Sequence, residues 1–278
     1  MPATLPSTAR KLLEELFLNF KKRADESTHA GSLKLNIASK PCGIVISKAA
    51  QALNGLSGVE ISQEFVSIGS SLKPGPELDA LLENVAKTLR SAGCTPGWRD
   101  ELLDIWVNPE TQDVRLGAIE RGAMRPLGLA TRAVHLNAWS SRGDIWVARR
   151  SLTKKTDPGL WDTLVGGLVG YKEPDDLALI RESAEEAGLQ EHHIASRTPM
   201  HTIHWMRRRI PEGYQNEQVI TCECVLPDDV TPINQDGESM EIRCLSPEVV
   251  VDMIRSDLFT IEASIVLVED LLRRSKSA

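Results

Sequence analysis

The stretch GGLVGYKEPDDLALIRESAEEAGL, residues 166–189, constrains this chain more than any other. It opens on a glycine pair, ends just past Gly188, and carries Glu182, Glu185 and Glu186 within five positions. Pro174 suits a first helical position, Asp175 and Asp176 suit the positive end of the helix dipole, and Gly188 suits a left-handed C-cap. At roughly 100 degrees per residue, Leu177, Ile180, Ala184 and Ala187 share one side of that helix, and the three glutamates gather nearly opposite. Like charges one turn apart are destabilising, and Arg181 is the only basic residue inside the cluster. A divalent cation resolves the repulsion. Hard carboxylate oxygens suit Mg²⁺ or Mn²⁺, and Mg²⁺ commonly joins carboxylates to substrate phosphates.

The remaining sequence bounds what surrounds such a helix. With 278 residues the chain is longer than one small core needs, which favours two domains. A net charge of -7 argues against nucleic acid and against an anionic membrane surface as partners, while leaving room for a small anionic ligand held by a local basic patch. Arg10, Lys11, Glu14 and Glu15 among apolar positions read as an amphipathic helix, neither a signal peptide nor a mitochondrial presequence. No apolar run reaches the roughly 18 residues of a membrane span. Five cysteines, an odd number, fit a reducing compartment, so a cytoplasmic protein is expected.

Periodicity predicts helices over 10–23, 76–92, 247–255 and 260–274, and a strand turning into a short helix over 43–53. Residues 56–72 are weakly β-like. Strands are expected at 102–107 and 114–119 around the turn at 108–113, then in a hairpin over 133–139 and 144–149, and at 200–207, 217–226 and 240–245. GAMRPLGL, residues 122–129, reads as a linker. The expected organisation is an α+β N-terminal domain over 1–128, followed by an α/β domain over 129–278 with a mixed sheet between helices.

Gly167, Glu173 and the run Arg181-Glu182-Ser183-Ala184-Glu185-Glu186-Ala187-Gly188-Leu189 resemble the Nudix box, G-x5-E-x7-R-E-U-x-E-E-x-G-U with U bulky and apolar. One position departs from it: Ser183 stands where an apolar residue is usual, a change that concerns packing. The resemblance implies the Nudix α/β/α sandwich and hydrolysis of a diphosphate linkage. It implies Glu182, Glu185 and Glu186 as metal ligands with the Gly167 carbonyl, Arg181 orienting a glutamate, and Glu173 holding loop and helix in register. The base is a box glutamate, Glu185 or Glu186 among them, or a later one such as Glu238 or Glu241. The flanks 97–106, 119–129, 133–139 and 149–170 resemble Nudix proteins related to fungal thiamine pyrophosphokinase, which implies oxidised thiamine diphosphates, cleaved to monophosphates, as substrates. An isomerase of isopentenyl diphosphate type, which needs a catalytic cysteine, and a non-catalytic diphosphate sensor are the alternatives on the same scaffold. A homodimer is left open.

Arg149, Arg150, Lys154 and Lys155 precede the glycine pair and are candidates to grip a terminal phosphate, with strand alternation allowing one of the two arginines to face the site. Trp161 reads as a buried cover for the loop, and Arg207–Arg209 as a solvated run. Cys222 and Cys224 read as buried structural thiols with Cys244 nearby; His201 and His204 are not spaced to share a metal on a strand; His135 and Asn137 share a strand face.

Overall fold

The computed structural model describes residues 7–107, 110 and 114–277. In the first half, α3 (Pro76–Ser91) buries Leu78, Leu82, Val85, Ala86 and Leu89, the spacing of one helical stripe. That stripe packs with β1 (Leu33–Ile37), β2 (Lys40–Val45), α2 (Ser47–Leu53), β3 (Val59–Ile61) and β4 (Phe65–Ile68) in one apolar cluster. The four strands form a sheet of order β2-β1-β4-β3, in which β1 and β4 run parallel. The hairpin of β5 (Leu102–Val107) and β6 (Val114–Glu120) adds Leu103, Ile105 and Ile119 to the same core. Most of the turn expected at 108–113 lies outside the described residues.

In the second half, β7 (Ala130–Trp139), β8 (Ile145–Arg150), β11 (His201–Ile210), β12 (Gly213–Val225) and β13 (Ser239–Leu245) form a mixed sheet of order β11-β12-β7-β8-β13. Two short strands join it: β9 (Trp161–Thr163) pairs with β8, and β10 (Val165–Leu168) pairs with β7. Helix α5 (Asp175–Ala187) packs with Val134, Leu136 and Ile220 in one apolar cluster. A second cluster gathers α6 (Pro247–Arg255) and α7 (Ile261–Ser277) with Trp139, Val147 and Val219. Alternating side-chain direction along β7 and β12 supplies both clusters, giving helices on both faces of a mixed sheet. None of the described helices is long and apolar enough to cross a membrane.

Three expectations are corrected. First, α1 (Ser7–Arg23) does not join the N-terminal core. Its Leu13 and Phe20 pack in the cluster of α7, and Glu26 and Arg207 exchange strand-like hydrogen bonds with the chain around them, from Glu26 N to Arg207 O (2.7 Å) and from Arg207 N to Ala24 O (2.7 Å). A helix with a strong apolar stripe docks wherever a matching face exists, whatever its place in the chain. Second, the supposed linker is packed. α4 (Arg121–Met124) starts it, Ala123, Met124, Leu127 and Leu129 are buried, and its carbonyls at Pro126 and Leu127 accept from Ile46 N and Ile44 N at 3.1 Å each. Its apolar content outweighs its turn-forming residues. Third, the glycine pair is not in a loop. Gly166 and Gly167 lie in β10, in register with His135 and Val134.

Candidate active site

The apolar side expected of α5, Leu177, Ile180, Ala184 and Ala187, is not the side it buries. The helix buries Ala178, Leu179, Ser183 and Ala187, while Leu177 is exposed. Glu182 and Glu186 therefore lie on the inner flank, against β10, and only Glu185 stands clear, with 52% of its side chain exposed against 12% for Glu182. Gly167 makes this possible: a Cβ there would lie 2.0 Å from Glu182 Cδ. Strand and carboxylate occupy space that any side chain at 167 would fill. Gly188 closes the helix at φ 65, as expected of a left-handed cap. Ser183 is fully buried, so the departure from the motif falls on the packed face.

Arg181 organises the acids. Its Nε and one amino group donate to the two oxygens of Glu173 at 2.9 Å each, and the other amino group donates to Glu182 (2.7 Å) and Glu185 (3.2 Å). Burial opposes ionisation of Glu173, but these bonds and one from Gly170 N outweigh it and hold the carboxyl below its ordinary range. Burial dominates at the other two acids. It raises Glu182 despite Arg181, and pushes Glu186 up to about 8 although Gly166 N donates to it at 2.8 Å.

Glu186 meets the loop before β13. Carboxylate oxygens of Glu186, Asp236 and Glu238 lie within 4.8 Å of one another, the group among the described residues suited to a metal ion. Lys154 pairs with Glu238 and, against the cost of burial, keeps that carboxyl below its ordinary range. Three carboxylates this close, Glu186 and Glu238 half-buried and Asp236 exposed, offer hard oxygen donors that fit Mg²⁺ or Mn²⁺. Of the two later glutamates singled out in the sequence, Glu238 enters the cleft and Glu241 does not: Glu241 pairs with Arg243 away from it. Asp236 was missed, although the Asp-Gly pair just before a strand was a legible turn signal.

These groups line a cleft of about 580 Å³ between the two halves of the chain. Of the four cations proposed for phosphate, Arg150, Lys154 and Lys155 line it, and Arg149 does not. Arg150 donates to Asp162 at 2.8 Å, whereas Arg149 turns to the Gly159 carbonyl at 3.0 Å, as alternation along β8 requires. The first half adds Arg99, Arg121 and Arg125, none anticipated, because no local pattern says which distant segment closes a cleft. In the 207–209 run only Arg208 reaches the wall, paired with Asp157 at 3.5 Å.

His135 also lines the cleft, with Glu262 2.9 Å from Nε2 and Thr163 3.0 Å from Nδ1. Asn137 instead donates into α7, to the Val266 carbonyl. Trp161 is buried beside Phe259 as a core residue. Cys222 and Cys224 are buried and pushed up to about 12 by burial. His201 pairs with Glu269, and burial lowers His204 to about 4.

Residues 129–263 match the family described as NUDIX domain. The chain is 30% identical over 213 residues to the chloroplastic Nudix hydrolase 24 of Arabidopsis thaliana, a match covering 75% of this chain and 57% of that protein. Over 214 residues it is 27% identical to the chloroplastic Nudix hydrolase 20 of the same plant, covering 75% of this chain and 56% of that protein. An isopentenyl-diphosphate Delta-isomerase of Citrobacter koseri is 32% identical over 157 residues, 52% of this chain and 80% of the isomerase. The chain thus spans somewhat more than half the length of the two plant relatives. With Arg181, Glu182, Glu185 and Glu186 seated on α5 and the family match across the second half, the chain belongs to the Nudix superfamily.

Proposed function

We propose that this protein hydrolyses a diphosphate linkage in a small-molecule ester, with Mg²⁺ or Mn²⁺ held by Glu186, Asp236 and Glu238. The observation that carries the reading is that three-carboxylate group beside a cation-lined wall of the same cleft. A cation bound there supplies neutralisation of phosphate charge and a lowered pKa for bound water. Gly166 N fixes the orientation of Glu186, and Arg181 fixes that of Glu182. Glu182 acts as base. Its raised pKa suits a group that takes a proton from the attacking water and then releases it. Water forms the new bond to phosphorus, its proton passes to Glu182, and the anhydride bond to the leaving phosphate breaks. Arg150, Lys154 and Lys155 hold phosphate oxygens through charge-assisted bonds. The proposed substrates are oxidised thiamine diphosphates, cleaved to the monophosphates; resemblance in the flanks of the motif supports them. A reducing, cytoplasmic setting belongs to the same proposal, supported by five free cysteines.

The similarity to an isomerase favours isopentenyl diphosphate as a second reading. No cysteine lines the cleft among the described residues, which weighs against it. One screen decides. The protein is incubated with Mg²⁺ and a panel of diphosphates, including oxidised thiamine diphosphates and isopentenyl diphosphate. Release of phosphate or monophosphate is read together with alkene isomerisation. Isomerisation without phosphate release would replace the hydrolase by the isomerase, and neither activity on any compound would remove both.

A further inference from the structure

Strands β7 and β12 run side by side and parallel, with Thr131 in register with Glu217. Successive side chains on a strand alternate in direction, so Thr131 and His135 share one face, and Gln215 and Glu217 share that face on the neighbouring strand. All four line the cleft. This end of the cleft is rich in buried polar groups where an ordinary sheet would place apolar ones: Thr131, His135, Gln215 and Glu217 are all buried.

Their hydrogen bonds can be accounted for one by one. Glu217 accepts from the Thr131 hydroxyl at 2.6 Å and from Gln215 Nε2 at 2.5 Å. A carboxylate has acceptors only, so the Gln215 nitrogen must face it and the amide oxygen must turn away. That oxygen, Oε1, has no partner among the described residues although Gln215 is only 4% exposed. A buried acceptor left unpaired is unfavourable, which marks a place where a donor belongs. Glu217 has no cation within ion-pair distance among the described residues, and each of its oxygens can accept once more. The neighbouring charges are already matched. Thr163 donates its hydroxyl to the Val165 carbonyl at 2.9 Å, so His135 Nδ1 is the donor to Thr163, and His135 Nε2 shares a proton with Glu262. The cations Arg150 and Arg208 face Asp162 and Asp157, and neither is paired with Glu217. What remains is a floor that accepts hydrogen bonds and holds a carboxyl group with no cation paired to it among the described residues.

We propose that this floor, Gln215 Oε1 with the Glu217 carboxylate, binds the N–H-donating end of the substrate: an amino-substituted nitrogen heterocycle. The cleft is then two-ended. Cations and the Glu186 group take the diphosphate, and acceptors take the heterocycle. This rests on the diphosphate reading above for the other end of the ligand, and it selects against diphosphates whose remainder is a hydrocarbon.

The test is equilibrium binding by calorimetry in EDTA, which removes the metal and so separates binding from turnover. The probes are thiamine diphosphate, which carries an aminopyrimidine and a fixed positive charge, and ethyl diphosphate, which carries neither. The wild-type protein should prefer thiamine diphosphate by roughly tenfold or more, the value of one bond to a charged acceptor. Gln215→Met and Glu217→Gln, both close in shape to the native residues, should each reduce that affinity ratio by roughly tenfold. Two variants are used so that misfolding of one leaves the other to decide. An unchanged ratio in either folded variant overturns the proposal. So does a wild-type protein that shows no preference, including one that binds neither probe. Loss of all hydrolysis in the Mg²⁺ screen, with the binding ratio behaving as stated, removes the hydrolase reading and leaves the heterocycle site standing.

Discussion

Glu186 carries a charge that the metal-free fold does not want. Burial raises its carboxyl from an ordinary 4.5 to about 8. Below about pH 4.5 the folded and unfolded chains both hold this proton, and the group is neutral in both. From there to about pH 8 the unfolded chain releases the proton while the folded chain keeps it, so metal-free protein loses stability as pH rises. At pH 7 the interval is about 2.5 units, worth about 3 kcal/mol at 1.36 kcal/mol per unit. Glu186 opens partly onto the cleft, where water relaxes the penalty, so this is an upper value. Glu186→Gln removes the ionisation and keeps an oxygen for Gly166 N. In EDTA the variant should be more stable than wild type by up to about 3 kcal/mol at pH 7, roughly 6 °C in Tm for a chain of this size, with the gap nearly closed at pH 5. Saturating Mg²⁺ should reverse the order, because the variant has lost a charged ligand, and turnover should fall at least about a hundredfold. Thermal and urea unfolding across that pH range, with and without Mg²⁺, read all of this. Equal stability of variant and parent at pH 7 in EDTA would refute the reasoning, because Glu186 would then not be a desolvated charge.

Gly167→Ala places a methyl 2.0 Å from Glu182 Cδ, so Glu182 must leave its seat; turnover should drop roughly a hundredfold with a stability cost of about 1–3 kcal/mol, read by kcat and chemical denaturation. Arg150→Ala should raise KM for a diphosphate substrate roughly tenfold or more, and Arg149→Ala should leave KM within about threefold, since Arg149 faces Gly159; equal effects from the two would move the phosphate grip elsewhere. Limited proteolysis of the native protein should spare residues 122–129, because Ala123, Met124 and Leu127 are buried there; early cleavage in that segment, seen by mass spectrometry, would contradict the packing described.

What the sequence determined by itself was local and periodic. The glycine, arginine and glutamate spacing of residues 167–189 is a statement about one strand, one helix and their charges, and it placed Glu182, Glu186 and Arg181 together before any tertiary contact was known. The helices at 76–91 and 247–255 and the five longer strands of the second half were legible for the same reason, since burial on one side imposes a 3.6- or 2-residue period, whereas the short β9 and β10 were not. Tertiary structure decided the rest. Glu182 and Glu186 face inward because β10 presents glycine to them, a contact between elements that no helical wheel contains. The 122–129 segment is packed because β2 offers it hydrogen bonds from a distant part of the chain, and α1 crosses to α7 because its apolar stripe finds a better face there. Asp236, Arg121 and Glu217 come from a loop, a short helix and a strand far apart in sequence, and only the closed fold brings them to one cleft. Period and spacing are short-range properties of a chain; which faces meet is settled by the burial of all of them at once.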